Sequence, residues 1–173
     1  MRRLVVVLVL GVVVGLALFQ LGALLVVKAY KLPSASMEPT VRRGDRVGVV
    51  RFVGSVEPDR GDIVAFRATR RIAVLCGQSG VYLKRIVGLP GEQIVEQAGH
   101  VFVDGVRLAE PYVGPGRRDA ISGSWRVPAG TYFVLGDNRR ASCDSRVWGA
   151  VPRASLIGEV FLTYWPPGRF GFR

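Results

Sequence analysis

Hydrophobic and polar positions divide this chain into two unlike parts at about residue 27. From Leu4 to Val27 no residue is charged and Gln20 alone is polar. The run is about 24 residues long, which at a helical rise of about 1.5 Å gives roughly 36 Å, enough to cross a hydrocarbon core of about 30 Å. A cleaved leader carries an apolar region of only about 7–15 residues. The length therefore predicts an uncleaved membrane anchor, although Ser34-Ala35-Ser36 has the small-x-small spacing of a cleavage site. Past the anchor the pattern shortens. Runs rich in Val, Ile, Phe and Tyr, separated by Gly and Pro clusters, predict strands at 46–53, 62–67, 72–75, 81–87, 132–135 and 156–164. In His100 to Leu108, Asp104-Gly105 suits the positive backbone angles of a type I′ turn and predicts a hairpin. No stretch after the anchor carries a long 3.6-residue apolar period, and one short helical turn is expected after Pro152. Glu110 to Gly123, polar and rich in Gly and Pro, reads as a loop or mobile flap. Tyr164 is expected to close the core, and Phe170 and Phe172 to meet the headgroup zone of a membrane.

The expected architecture is mostly β. One transmembrane helix at about 4–27, within an anchor region 1–31, precedes an antiparallel β domain over 32–173. Charge adjusts this picture only slightly. The net charge of +11 raises the question of nucleic acid, but the arginines are scattered in pairs, with no basic helix and no zinc-finger spacing. No nucleic-acid partner is expected; a basic surface suits anionic lipid headgroups. Arg2 and Arg3 lie on one side of the apolar run and Lys28, Lys31, Arg42 and Arg43 on the other, so the positive-inside rule does not set the topology. Cys76 and Cys143 lack metal-ligand spacing, and both a disulfide and two free thiols remain open.

Candidate chemistry begins with Lys84. It is the one lysine beyond the N-terminal stretch, set inside the β-branched run Val81-Tyr82-Leu83-Lys84-Arg85-Ile86-Val87 of a chain otherwise committed to arginine. Arginine keeps its proton in any site, whereas a lysine, unperturbed at roughly 10.4, loses its own when removed from water. Taken alone, Lys84 fits a side chain snorkelling from a sheet edge. His100, the one histidine, falls in the predicted hairpin as an exposed turn residue, which argues against a Ser-His-Asp triad or a metal cluster. A Ser-Lys pair is what remains, with its serine in Pro33-Ser34-Ala35-Ser36-Met37-Glu38-Pro39-Thr40. By itself that segment is only a stiff linker leaving a membrane.

Four segments taken together carry a resemblance. Pro33 to Thr40 resembles the nucleophile box of type I signal peptidases, and Arg60-Gly61-Asp62-Ile63-Val64-Ala65-Phe66 their second box. Tyr82-Leu83-Lys84-Arg85-Ile86-Val87-Gly88-Leu89-Pro90-Gly91 is similar to the lysine box. Gly136-Asp137-Asn138-Arg139 with Ser142-Cys143-Asp144-Ser145-Arg146 is similar to the last. The resemblance implies that Ser36 is the nucleophile, Lys84 the general base, and the Ser34 side chain and Ser36 N–H the oxyanion hole. It implies that Ser142 orients Lys84, that Asp144 and Arg146 form a supporting ion pair, and that no cofactor or metal takes part. It further implies that Leu32, Met37, Val41, Tyr82 and Leu83 shape shallow pockets for small residues at −1 and −3 of a signal peptide. The implied setting is the plasma membrane, single-pass, with the catalytic domain outside the cytoplasm, beside lipid and the secretion translocon. Two departures stand out. Arg140-Ala141 replaces an acidic residue and Asn, and the interval 91–131 has room only for a small hairpin and flap. Rival readings are a specialised pilin or conjugation processing peptidase, a self-cleaving repressor relative, and a catalytically dead membrane-tethered binding module.

Overall fold

The computed structural model of the chain describes residues 11, 12, 14, 15 and 27–173. Most of the expected anchor lies outside the described residues, among which no helix is long and apolar enough to cross a membrane. The remainder is a β structure of two antiparallel sheets. β1 (Val27–Lys31), β2 (Arg46–Arg51), β3 (Ile63–Arg67), β4 (Val81–Gly88), β9 (Thr131–Leu135), β10 (Val151–Pro152), β11 (Leu156–Trp165) and β12 (Gly171–Phe172) form the larger. Its order is β1-β2-β11-β3-β4-β9-β10, with β12 on β11. The sheet thus begins ahead of Leu32: β1, inside the stretch assigned to the anchor region, pairs with β2 from Val27↔Val50 to Lys31↔Arg46.

The smaller sheet, β7-β6-β5-β8, occupies the interval where a hairpin and flap were expected. It comprises β5 (Gln93–Gln97), β6 (His100–Val103), β7 (Val106–Arg107) and β8 (Gly123–Arg126). The β6–β7 turn is at Asp104-Gly105, with φ of 47° and 83°, as a type I′ turn requires. A second tight turn, Ala98-Gly99 at φ 48° and 77°, joins β5 to β6; alanine at a left-handed position gives no turn signal, so β5 went unforeseen. His100 opens β6, half-buried, with its ring bonded to Arg107, rather than occupying a turn.

Ile72–Leu75, predicted as strand from its β-branched residues, lies in helix α1 (Arg70–Cys76). Thr69 accepts the Ile72 N–H as N-cap and Gly77, at φ 68°, ends the helix. These two signals outweigh the propensity of a four-residue run. The turn after Pro152 is present as a 3-10 segment, Arg153–Ser155. Tyr164 does not close the core; at 36% exposure it stands at the surface beside Trp165, and Phe170 and Phe172 are exposed too.

Three apolar clusters fill the molecule. One lies between β2, β3, β11 and the segment Leu32–Val41. A second gathers Val64, Phe66, Ile72, Ile86, Val134 and Trp148. The third sits between the sheets, around Val87, Ile94, Val101 and Phe133. Glu110–Gly123 has no regular structure up to β8, yet it is pinned. Glu110 pairs with Arg118 and Arg139, Asp119 with Arg146, and Arg117 with Glu38.

Candidate active site

The site forms where strand β4 passes the segment following β1. Side chains alternate along a strand, so Lys84 shares a face with Tyr82 and Ile86, and its cross-strand partner is Val64. All of these belong to, or pack on, one apolar cluster. Lys84 is consequently buried, at 2% exposure. Loss of water lowers its pKa from 10.5 to about 8, opposed by the charges of Asp144 and Asp137 and assisted by that of Arg146. Its Nζ lies 2.7 Å from the Ser36 Oγ. Ser34 Oγ is 3.3 Å from the same Oγ.

Ser36 is held from behind. Asn138 donates its backbone N–H to the Ser36 carbonyl at 3.0 Å and its side-chain amide to the Ala35 carbonyl at 3.2 Å. That role for Asn138 was missed, although its place in the fourth box marked it. Gly136 is required beside it: a Cβ there would overlap the Ser36 carbonyl and the Ser142 hydroxyl. Next to Lys84 in sequence, Arg85 ties the four segments together. It donates Nε and a terminal nitrogen to the two oxygens of Asp137, at 2.9 and 2.7 Å, and its other terminal nitrogen to the Gly61 carbonyl. Asp137 also accepts from the Thr40 hydroxyl at 2.5 Å. One arginine and one aspartate thus join the nucleophile, second, lysine and last segments.

Asp144 is fully buried. It caps the short helix α2 (Ser145–Trp148) by accepting the Arg146 N–H, and takes a fork of hydrogen bonds from the Arg146 guanidinium at 2.8 and 2.9 Å. Asp144 also accepts from the Gly136 N–H at 3.2 Å. The two carboxylates whose charge favours Lys84 ammonium are therefore each neutralised by a bidentate arginine. Arg146 extends outward to Asp119 and to Glu96, 3.5 Å away. Burial pushes the Glu96 carboxyl up to about 7, against the pull of Arg146.

Ser142 is brought into the site but does not bond Lys84; its hydroxyl is buried without a hydrogen-bond partner. The cysteines are joined as a Cys76–Cys143 disulfide with Cα atoms 6.1 Å apart, tying α1 to the last segment. An open cleft of about 250 Å³ runs past Ser36 and Lys84. Leu32, Met37, Tyr82 and Leu83 line it, together with Ala141 and the disulfide. Val41 does not reach it, being sealed at 0% exposure in the core beneath. Arg140 is exposed, bonded to the 116–117 backbone rather than to Ser36 or Lys84. Among the described residues no group of three or more His, Cys, Asp or Glu side chains is placed to hold a metal.

This geometry has relatives. The model of the family "Signal peptidase, peptidase S26" matches residues 2–165. The chain belongs to the signal peptidase family. It is a serine peptidase related to signal peptidase I. It is 39% identical over 147 residues to a probable signal peptidase I-2 of Synechocystis sp., covering 84% of this chain and 66% of that protein. To a signal peptidase I of Bacillus caldolyticus it is 33% identical, covering 87% and 86% of the two chains. A crystal structure of a signal peptidase I from Enterococcus faecalis V583 superposes with a TM-score of 0.50 at 31% identity, over 61% of this chain and 98% of that one.

Proposed function

We propose that this signal peptidase is a membrane-anchored endopeptidase that removes N-terminal signal peptides from exported preproteins, using Ser36 as nucleophile and neutral Lys84 as general base. The observation that carries this reading is the 2.7 Å contact between a buried amine and the Ser36 hydroxyl. Its reversed form, Ser36 O–H donating to a neutral Nζ, is the one that starts the reaction. Lys84 takes the hydroxyl proton as Ser36 Oγ bonds to the scissile carbonyl carbon. The resulting oxyanion is held by the Ser36 N–H and the Ser34 hydroxyl, a donor type worth about 3–4 kcal/mol in the transition state. Lys84 ammonium returns the proton to the departing amine, which leaves an acyl ester on Ser36. Neutral again, the amine deprotonates water to hydrolyse that ester. Ser142, whose hydroxyl and the Ser36 carbonyl both flank Gly136, supports the site, and the Asp144–Arg146 pair fixes the segment without leaving a bare carboxylate near the amine.

The apolar run from Leu4 to about Val26 would be the single membrane span, ending where β1 begins, with the domain on the extracytoplasmic side of the plasma membrane, close to lipid and to the translocon that delivers preproteins. Leu32, Met37, Tyr82 and Leu83 supply the apolar walls that admit small side chains at −1 and −3. The test is incubation of the purified full chain, in detergent or lipid, with a signal-bearing precursor and N-terminal sequencing of the product. A single cut after an Ala-x-Ala site supports the reading. An intact precursor, or cuts scattered through the mature region, overturns it.

A further inference from the structure

A second cleft, of about 690 Å³, opens where β1 begins and β3 ends. Three strands each place one cation on it: Lys28 from β1, Arg51 from β2 and Arg67 from β3. Thr69 and Ser155 add hydroxyls, Tyr30 and Phe52 add rings, and no Asp or Glu lines it. All three cations are exposed. Acidic partners are used elsewhere: among the described residues the ion pairs engage Arg60, Arg85, Arg117, Arg118, Arg139, Arg146, Arg153 and Arg169, and none of these three. Cations gathered in one concavity repel each other, and a phosphate among them converts that repulsion into charge-assisted hydrogen bonds.

The position selects the phosphate. Lys28 directly follows Val27, the last residue of the apolar run. If that run spans the bilayer, Lys28 lies at headgroup depth, where anionic lipids hold basic side chains. Tyr30 and Val81 belong to the walls of both this cleft and the catalytic one.

We propose that Lys28, Arg51 and Arg67 form a binding site for the phosphate of an anionic phospholipid headgroup, with Tyr30 and Phe52 against its glycerol and acyl portion. The proposal rests on the anchored reading of the preceding section. A headgroup held there fixes how the domain sits on the bilayer and brings the catalytic cleft against the lipid surface, where the apolar part of a signal peptide ends.

The test is native mass spectrometry of the detergent-solubilised full chain titrated with phosphatidylglycerol, phosphatidylcholine and glycerol phosphate. The wild type retains phosphatidylglycerol in preference to phosphatidylcholine. At about 1 kcal/mol, or roughly fivefold, per cation, the combined Lys28→Gln, Arg51→Gln and Arg67→Gln variant loses affinity for phosphatidylglycerol on the order of a hundredfold. A control with equal charge removed elsewhere, Arg42→Gln, Arg43→Gln and Arg126→Gln, stays within about twofold of the wild type. Equal retention by the triple variant, or equal loss in the control, overturns the site. Glycerol phosphate competing as well as the lipid makes it a soluble-phosphate site and overturns the lipid assignment. A changed KM for precursors acidic upstream of the cut, with lipid retention intact, gives the cleft to substrate instead. Carbonate extraction of wild-type membranes tests the anchored reading separately: release of the chain sinks that reading, whereas an anchored chain with unaltered lipid binding in the variant sinks only the site.

Discussion

At the scale of single residues, the account turns on one buried amine kept free of compensating charge. The native pKa of Lys84 is about 8 against an ordinary 10.5. The proposed acting form is the deprotonated amine, so kcat/KM should rise as pH rises through about 8 and level off above it. A profile flat down to acid pH would point to another base. The neutralising arginines belong to the same prediction. Arg146→Met leaves the Asp144 carboxylate to favour the ammonium, so the rising limb should move to higher pH; an unmoved limb would show that the ion pair is only structural. Linkage gives a stability consequence. A lysine whose folded pKa is depressed weakens the fold fully below about pH 8, and the penalty is relieved as pH rises toward the unfolded value. Lys84→Met should therefore abolish cleavage while raising the denaturation temperature at pH 7 by a few degrees, a trade of stability for function. A destabilised Lys84→Met protein would contradict the burial argument.

At the scale of elements, the disulfide draws the clearest expectation. Cys76 ends α1, Cys143 sits in the last segment, and the bridge spans a sequence separation of 67 while forming part of the cleft wall. Cys76→Ser with Cys143→Ser should cost about 2–4 kcal/mol in denaturant unfolding, and should lower kcat/KM on a precursor. Unchanged turnover would mean that the wall is held without the bridge. This element also shows where the sequence was legible and where it was not. Thr69 and Gly77 bracket α1 as caps, yet the β-branched residues between them read as strand, since four residues are too few for period to decide. The Asp104-Gly105 hairpin was legible because its turn residues state their backbone angles. Ala98-Gly99 conceals an equivalent turn, and with it the four-stranded sheet. The pairing of Cys76 with Cys143 depends on α1 being a helix beside the last segment, which no spacing in the sequence conveys.

At the scale of the whole molecule, four short segments scattered over about a hundred residues converge through Arg85, Asp137 and Asn138 on one serine. The candidate dyad was legible because those segments resemble a family. The hydrogen bonds that assemble it were not, because each joins segments distant in sequence. The proposed specificity rests on the same convergence. Leu32, Met37, Tyr82 and Leu83 fill the cleft walls, and an extended substrate turns positions −1 and −3 to one face. Ala→Leu at −1 of a good precursor should cut kcat/KM on the order of a hundredfold, since a misplacement of about 1 Å at the reacting carbon is that costly. The same change at −2 should be mild. Comparable tolerance at the two positions would remove these residues from the pockets.

The most direct measurement of the central claim is the site of the covalent bond. Full-length protein turning over a precursor is quenched in acid, where Lys84 is protonated and deacylation stops, and is then digested with trypsin. Lys31 and Arg42 release Leu32–Arg42 as one peptide carrying both candidate serines. The account predicts that this peptide gains the acyl mass, that fragmentation assigns it to Ser36, and that a Ser36→Ala protein shows neither adduct nor cleavage. An adduct on Ser34 or elsewhere in the chain, or precursor cleavage by Ser36→Ala, would contradict it.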